Sequence, residues 1–165
     1  MDLLLRIEQI GFFTWVRESS SIWAFPTILF IHTIGFGTLA GVNAGVDLRL
    51  LGFAAGIPLA PLTRLFPVMI TGFWISAATG IVLLLADAST KGLNPVFWVK
   101  MALVALALIN LRLLRTRVFH DPHIDSKPLP PNARLLALTS LVLWLGVTTA
   151  GRLMAYIGPV SGLQR

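Results

Sequence analysis

Four stretches of this chain stay apolar for the length of a membrane crossing. They cover about residues 22–46, 65–86, 96–114 and 135–157. Each approaches the roughly 20 residues that a helix rising 1.5 Å per residue needs to span hydrocarbon. Charge, Pro or Gly bounds each of them. The opening stretch, about residues 3–16, is different: Arg6 and Glu8 interrupt it and it is too short to cross, while Phe12, Phe13 and Trp15 suit the headgroup region. It reads as an interfacial helix. The pattern predicts one domain over residues 1–165, an all-α integral membrane four-helix bundle with an N-terminal interfacial helix.

The connections fit this division. "GFAAGIPLAP", Gly52 to Pro61, is rich in Gly and Pro and is expected at the membrane surface. "DASTKGLNP" is short, which makes the second and third spans antiparallel neighbours, and its Pro95 suits a first helical turn. "RTRVFHDPHIDSKPLPPNAR" is the longest loop; its run of turn signals predicts a solvated segment. No internal repeat is evident.

Composition strengthens the membrane reading. The 165 residues are 56% hydrophobic and 12% charged, against about 25% charged in ordinary soluble domains. A soluble chain of this size could not hide that much apolar surface. No cysteine is present, which excludes disulfides and thiolate metal sites. The formal charge of +6 is scattered at segment ends and not gathered on an aromatic platform, so nucleic acid is not an expected partner. It reports orientation instead. Arg49, Arg64, Arg112, Arg115, Arg117, Lys127 and Arg134 flank the connections between spans one and two and between spans three and four; Arg6, Arg17, Lys91 and Arg165 lie on the other side. The richer side is expected in the cytoplasm. This predicts a multi-pass inner-membrane protein with both termini periplasmic. "MDLLLRIEQIGFF" has neither a basic leader nor a small-residue cleavage site and does not read as a signal peptide.

Small residues recur every fourth position as Gly37, Gly41 and Gly45, and again as Gly72, Ser76 and Gly80. This spacing lets membrane helices approach closely. It predicts tight helix contacts within the chain or between subunits, with lipid, further copies or other membrane subunits as the partners.

His32, in "ILFIHTIGFG", is the residue that demands an explanation. It lies nine residues past Trp23, roughly 13 Å into the bilayer by helix rise. An ionisable group there is costly and marks a functional site by default. One reading makes it the axial ligand of a haem b held in an apolar four-helix core, a metal site of one imidazole. No second histidine lies in a span, so the site would be a single-His one, or take Met69, Met101 or Met154 as second ligand, or be shared in an oligomer. Trp74 and Trp144 fall at similar depth, while Lys100 and Arg152, roughly 8 Å deep, could neutralise haem propionates or face a quinone oxygen. The other reading makes His32 a neutral donor to a carbonyl or hydroxyl across helices, with the two cations snorkelling to the interface.

Asp47 and Arg49 are two apart and cannot face one another on a helix. They are expected to form an interfacial charge lock with another segment, Asn110 and Arg112 lying at matching depth. His120, Asp121, His123 and Asp125 could hold a divalent metal, although their loop lacks rigid support. No nucleophile elbow, P-loop, dinucleotide fingerprint or zinc-protease helix is present. Three functions remain: an accessory or anchor subunit, a haem-binding electron-transfer or quinone-linked subunit using His32, and a small-molecule or proton carrier. The carrier is weakened by the lack of inverted repeats.

"FIHTIGFGTLAG", "DLRLLG" and "NPVFWVKM", in this order, resemble an uncharacterised bacterial family of small four-span membrane proteins, a domain of unknown function. The matching positions are His32, Asp47, Arg49, Lys100 and Met101, and the likeness covers most of residues 20–115. It implies the four-span fold and a bacterial membrane, and it brings no activity. A looser similarity links the chain to copper-resistance and b-type cytochrome membrane proteins, which place histidines in short bundles. A single intramembrane histidine departs from their two-haem pattern.

Overall fold

The computed structural model describes Arg6, residues 8–121, 124–126, 128–154 and Tyr156. Among them all regular structure is helical. α1 spans Gly11–Glu18, α2 Phe25–Leu51, α3 Leu65–Leu85, α4 Ala88–Leu93, α5 Pro95–Arg117 and α6 Ala133–Leu153, and a 3-10 turn over Ala60–Arg64 leads into α3. α2, α3, α5 and α6 are long and apolar enough to cross a membrane. Large apolar side chains such as Ile34, Trp74, Ile109 and Leu145 stand exposed on their outer faces. Lipid covers such faces at no cost, whereas water would not. The chain is a polytopic membrane protein built as a four-helix bundle.

α2 runs five residues past the predicted end of the first span. Gly52 stops it, with φ of 108°. In that left-handed conformation the Gly52 N–H reaches the Arg49 carbonyl and the Phe53 N–H reaches Leu48, so the last carbonyls are satisfied. α5 begins at Pro95 as predicted, and the Asn94 side chain accepts from the Val96 N–H at 2.9 Å. The connection before it holds the short helix α4, which the sequence pattern did not reveal. Where the sequence predicted an interfacial helix, the described residues hold α1, and Arg6 and Glu8 before it are also helical; residues 3–5 and 7 lie outside the described residues. The predicted fourth span likewise ran on to residues 155 and 157, outside them.

Packing is uneven. α2 packs along α3, α5 along α6, and α2 against α6; α3 and α5 share no extended contact. The bundle is therefore two helical hairpins joined along α2 and α6. The α2–α3 contact is closest at two glycines. A Cβ on Gly35 would stand 2.8 Å from the Ser76 nitrogen, and one on Gly72 would stand 2.8 Å from the Gly35 carbonyl oxygen. The small residues predicted on α3 thus do pack. Those predicted on α2 do not: nothing lies within 4 Å of where a Cβ on Gly37, Gly41 or Gly45 would be. These three stand roughly 120–160° from Leu39 on a 100°-per-residue wheel, and a four-residue repeat advances by only about 40° per step and so keeps to one face. Inside the protomer, that face meets nothing.

At one end of the bundle the Asp125 carboxylate accepts from the backbone N–H groups of Leu59 at 2.6 Å and Ala60 at 3.1 Å. Val118, Phe119 and Ile124 are buried there, with Phe119 edge-on to Phe66 at 5.3 Å. The long loop predicted as solvated is in part a plug packed beneath the bundle. At the other end the Ser89 N–H donates to Glu8, whose carboxylate also lies 3.5 Å from Arg17, and Arg17 reaches the Ala86 carbonyl. These ties place the two basic connections together and the N-terminal segment with the α3–α5 connection, the same sorting that the charge pattern implied.

Candidate functional site

His32 lies on the inner face of α2, seven residues before Leu39 and eleven before Asn43, both of them buried. It is half-buried. Its Nδ1 is 2.8 Å from the Ser76 carbonyl oxygen of α3, with the Ser76 and Thr79 hydroxyls each 3.3 Å away. The ring lies over Gly80, where a Cβ would come within 3.0 Å of Cε1. A carbonyl can only accept, so Nδ1 carries a proton and donates it; in the neutral ring Nε2 then holds the lone pair. Nε2 has no partner among the described residues. The stripe Gly72, Ser76 and Gly80 explains this geometry: small residues bring the α3 backbone to the imidazole. The cross-helix donor expected of His32 is present, and so is the free nitrogen that a metal ligand requires.

The other residues expected around His32 are only partly gathered. Lys100 on α5 and Lys91 on α4 are both half-buried. The Lys100 stem runs past Gly151 on α6. Arg152 is exposed, which leaves it turned away from the interior. Trp74 is 65% exposed and faces outward, stacked edge-on with Phe73. Trp144 is buried in the α2–α6 seam against Phe36, their centroids 5.9 Å apart. Met69 is fully buried, Met101 exposed and Met154 half-buried.

Lys91 is well held. Its Nζ donates to the Leu83 carbonyl at 2.8 Å, approaches Asp87 at 3.9 Å and sits 5.8 Å from the centre of the Phe25 ring. Burial pushes its ammonium below the ordinary lysine value, and Asp87 opposes the shift. Arg17, Phe25, Ala86 and Asp87 complete a cavity of about 270 Å³ around it. A larger groove of about 530 Å³ runs between α5 and α6, lined by apolar side chains including Val99, Leu103 and Leu145. Neither cavity reaches His32.

A second polar cluster escaped the sequence. Asn43, Asp47 and Ser140 are each 0% exposed. The Asn43 amide donates to Asp47 Oδ2 at 2.6 Å and to Ser140 Oγ at 2.5 Å. The expected lock through Asn110 or Arg112 is not made: Asn110 donates to the Leu136 carbonyl, and Arg112 is exposed. Arg49 instead donates to the Ile57 and Ala55 carbonyls, closing the turn beyond α2. Helix position explains the outcome. Asp47 is one turn after Asn43 on the buried face, while Arg49, two residues on, points elsewhere. Nothing in the linear sequence pairs residue 43 with residue 140. The metal reading of the long loop loses Asp125 to its backbone bonds with Leu59 and Ala60; His123 lies outside the described residues.

Comparison of the chain with protein-family models, curated proteins and solved structures finds no match.

Proposed function

We propose that this chain is an accessory or anchor subunit of a bacterial inner membrane, with both termini periplasmic, that assembles with a second copy of itself through the outer face of α2. The observation that carries the reading is the open glycine stripe. Each of Gly37, Gly41 and Gly45 costs a helix about 1 kcal/mol relative to alanine, and the protomer packs nothing against any of them. Helices in lipid gain no hydrophobic drive from association and rely on close backbone approach, which such a stripe permits. Phe30, Ile34 and Leu48 lie on the same face and are exposed beside it.

The absence of native cysteine makes the test clean. Ile34→Cys and Leu48→Cys should each give disulfide-linked dimers when membranes are oxidised, and Leu138→Cys on the outer face of α6 should not. Adding Gly41→Leu should reduce the Ile34→Cys dimer about tenfold, equivalent to about 1.4 kcal/mol of helix association. No dimer at position 34 or 48, or a dimer indifferent to Gly41→Leu, refutes self-assembly through α2.

The His32 geometry favours a second reading, ligation of a haem b by this subunit. Metal-binding imidazoles commonly donate one N–H to a carbonyl and ligate with the other nitrogen, and Lys91 and Lys100 bring positive charge for propionates. A Soret band in protein purified from haem-replete cells, lost in His32→Ala, would support it; a colourless wild-type preparation would rule it out.

A further inference from the structure

We propose that the cavity bounded by Arg17, Phe25, Ala86, Asp87 and Lys91 holds the phosphoethanolamine headgroup of a membrane phospholipid. Its place in the fold fits a lipid. Phe25 opens α2 and Ala86 follows the last residue of α3, so the cavity lies where two spans leave the hydrocarbon layer. Ile22 and Trp23, just before α2, stand exposed, and aromatic side chains such as Trp23 favour the headgroup level. The volume of about 270 Å³ falls just below the roughly 300 Å³ at which pockets for drug-sized molecules begin. It suits a headgroup of a few heavy atoms.

The charged groups around the cavity are incompletely paired. Lys91 Nζ and Asp87 Oδ2 stand 3.9 Å apart, about 1 Å beyond a charge-assisted hydrogen bond. The Asp87 carboxylate has no hydrogen-bond donor among the described residues. Lys91 carries three N–H donors and gives one to the Leu83 carbonyl at 2.8 Å. Arg17 Nη1 reaches Glu8 and the Ala86 carbonyl only at 3.5 and 3.4 Å, longer than an ordinary N–H···O bond. Its Nη2 is held by the exposed Glu18 at 2.8 Å. Donors and an acceptor with bonds to spare thus line one space.

Charge decides the ligand class. Arg17 and Lys91 are matched by Asp87 and by Glu8, whose carboxylate also accepts from the Ser89 N–H. Glu18 is exposed, where solvent screens it. A bare anion therefore meets no net positive charge, and a bare cation meets little net negative charge. A zwitterion meets both signs. Its phosphodiester accepts from Lys91 and Arg17, and its ammonium donates to the Asp87 carboxylate. A choline headgroup has no N–H to give Asp87, and a glycerol headgroup has no positive charge. Ethanolamine supplies both. Bound there, the headgroup would join α1, α2 and the α3–α4 connection, and its binding would stabilise the fold by mass action.

The test is thermal melting of the purified full chain in detergent micelles doped with dioleoyl phosphatidylethanolamine, phosphatidylglycerol or phosphatidylcholine at equal mole fraction. The ethanolamine lipid should raise the melting temperature and saturate. The other two should need about tenfold more lipid for the same rise, equivalent to about 1.4 kcal/mol of binding. Lys91→Gln and Arg17→Gln should each shift the ethanolamine response to about tenfold higher lipid. Asp87→Asn should make the ethanolamine and choline lipids equivalent. Native mass spectrometry of the wild type should retain one ethanolamine lipid per chain. The wild-type comparison needs no variant, so it stands even if a variant fails to fold. Equal melting of wild type in the three lipids overturns the proposal. So does an ethanolamine response unchanged in both Lys91→Gln and Arg17→Gln, which would place the lipid elsewhere. Soluble O-phosphoethanolamine reproducing the rise at the same concentration would make the ligand a small solute and overturn the lipid assignment.

Discussion

Gly35 and Gly37 are two residues apart on one helix, yet their mutational costs should differ in kind. A methyl group on Gly35 would meet the α3 backbone at Ser76 and Gly72, at 2.8 and 2.9 Å. Backbone cannot rotate aside as a side chain can, so the helices must separate. Gly35→Ala and Gly72→Ala should each destabilise the chain by about 1–3 kcal/mol, the usual range for overpacking, and lower its melting temperature in detergent. Separation at this point would also carry the Ser76 carbonyl away from His32 Nδ1. Gly41→Ala, measured at a dilution where the chain is monomeric, should leave the melting temperature unchanged or raise it slightly, since alanine favours helix over glycine. If Gly35→Ala melts like wild type, the α2–α3 contact is not as close as described.

Among the elements, the connections define the bundle ends as firmly as the spans define its middle. α2 ends at Gly52, and the chain returns through a 3-10 turn whose entry amides, Leu59 and Ala60, are held by Asp125 from a loop more than sixty residues away in sequence. The bond joins the first hairpin to the loop inside the second. Asp125→Ala removes a charged acceptor from two backbone donors and should cost about 1–2 kcal/mol. Hydrogen exchange should show faster exchange of the Leu59 and Ala60 amides while those in the middle of α2 and α6 keep their protection. Unchanged exchange at residues 59 and 60 would show that the carboxylate is not their partner in solution.

For the whole molecule, the two basic connections share one end, and α1 shares the other with the α3–α5 connection. The proposed orientation, with the basic end in the cytoplasm, follows from the tendency of basic loops to be retained there. Cysteine placed at Leu93, which is exposed at the end of α4, should react with an impermeant maleimide in intact spheroplasts. Cysteine in place of Arg117 should react only after lysis. The reverse pattern inverts the molecule and exchanges the compartments facing the His32 half and the Asp47 half of the bundle.

The four spans, the start of α5 at Pro95 and the presence of a histidine within the first span follow from the sequence alone. Hydropathy over about 20 residues is a local property, and lipid imposes it without reference to neighbouring helices. Which faces of those spans meet is not local. Gly72, Ser76 and Gly80 turned inward while the equally regular Gly37, Gly41 and Gly45 turned outward, because Gly35, outside that repeat, made the closer contact with α3. The partner of Asp47 was decided in the same way. Asn43 is visible one turn before it, but Ser140 lies 97 residues from Asn43, and only the packing of α6 on α2 brings it there. His32 shows both contributions: its place in the first span was legible in the sequence, whereas the Ser76 carbonyl that accepts from Nδ1 came from the tertiary fold.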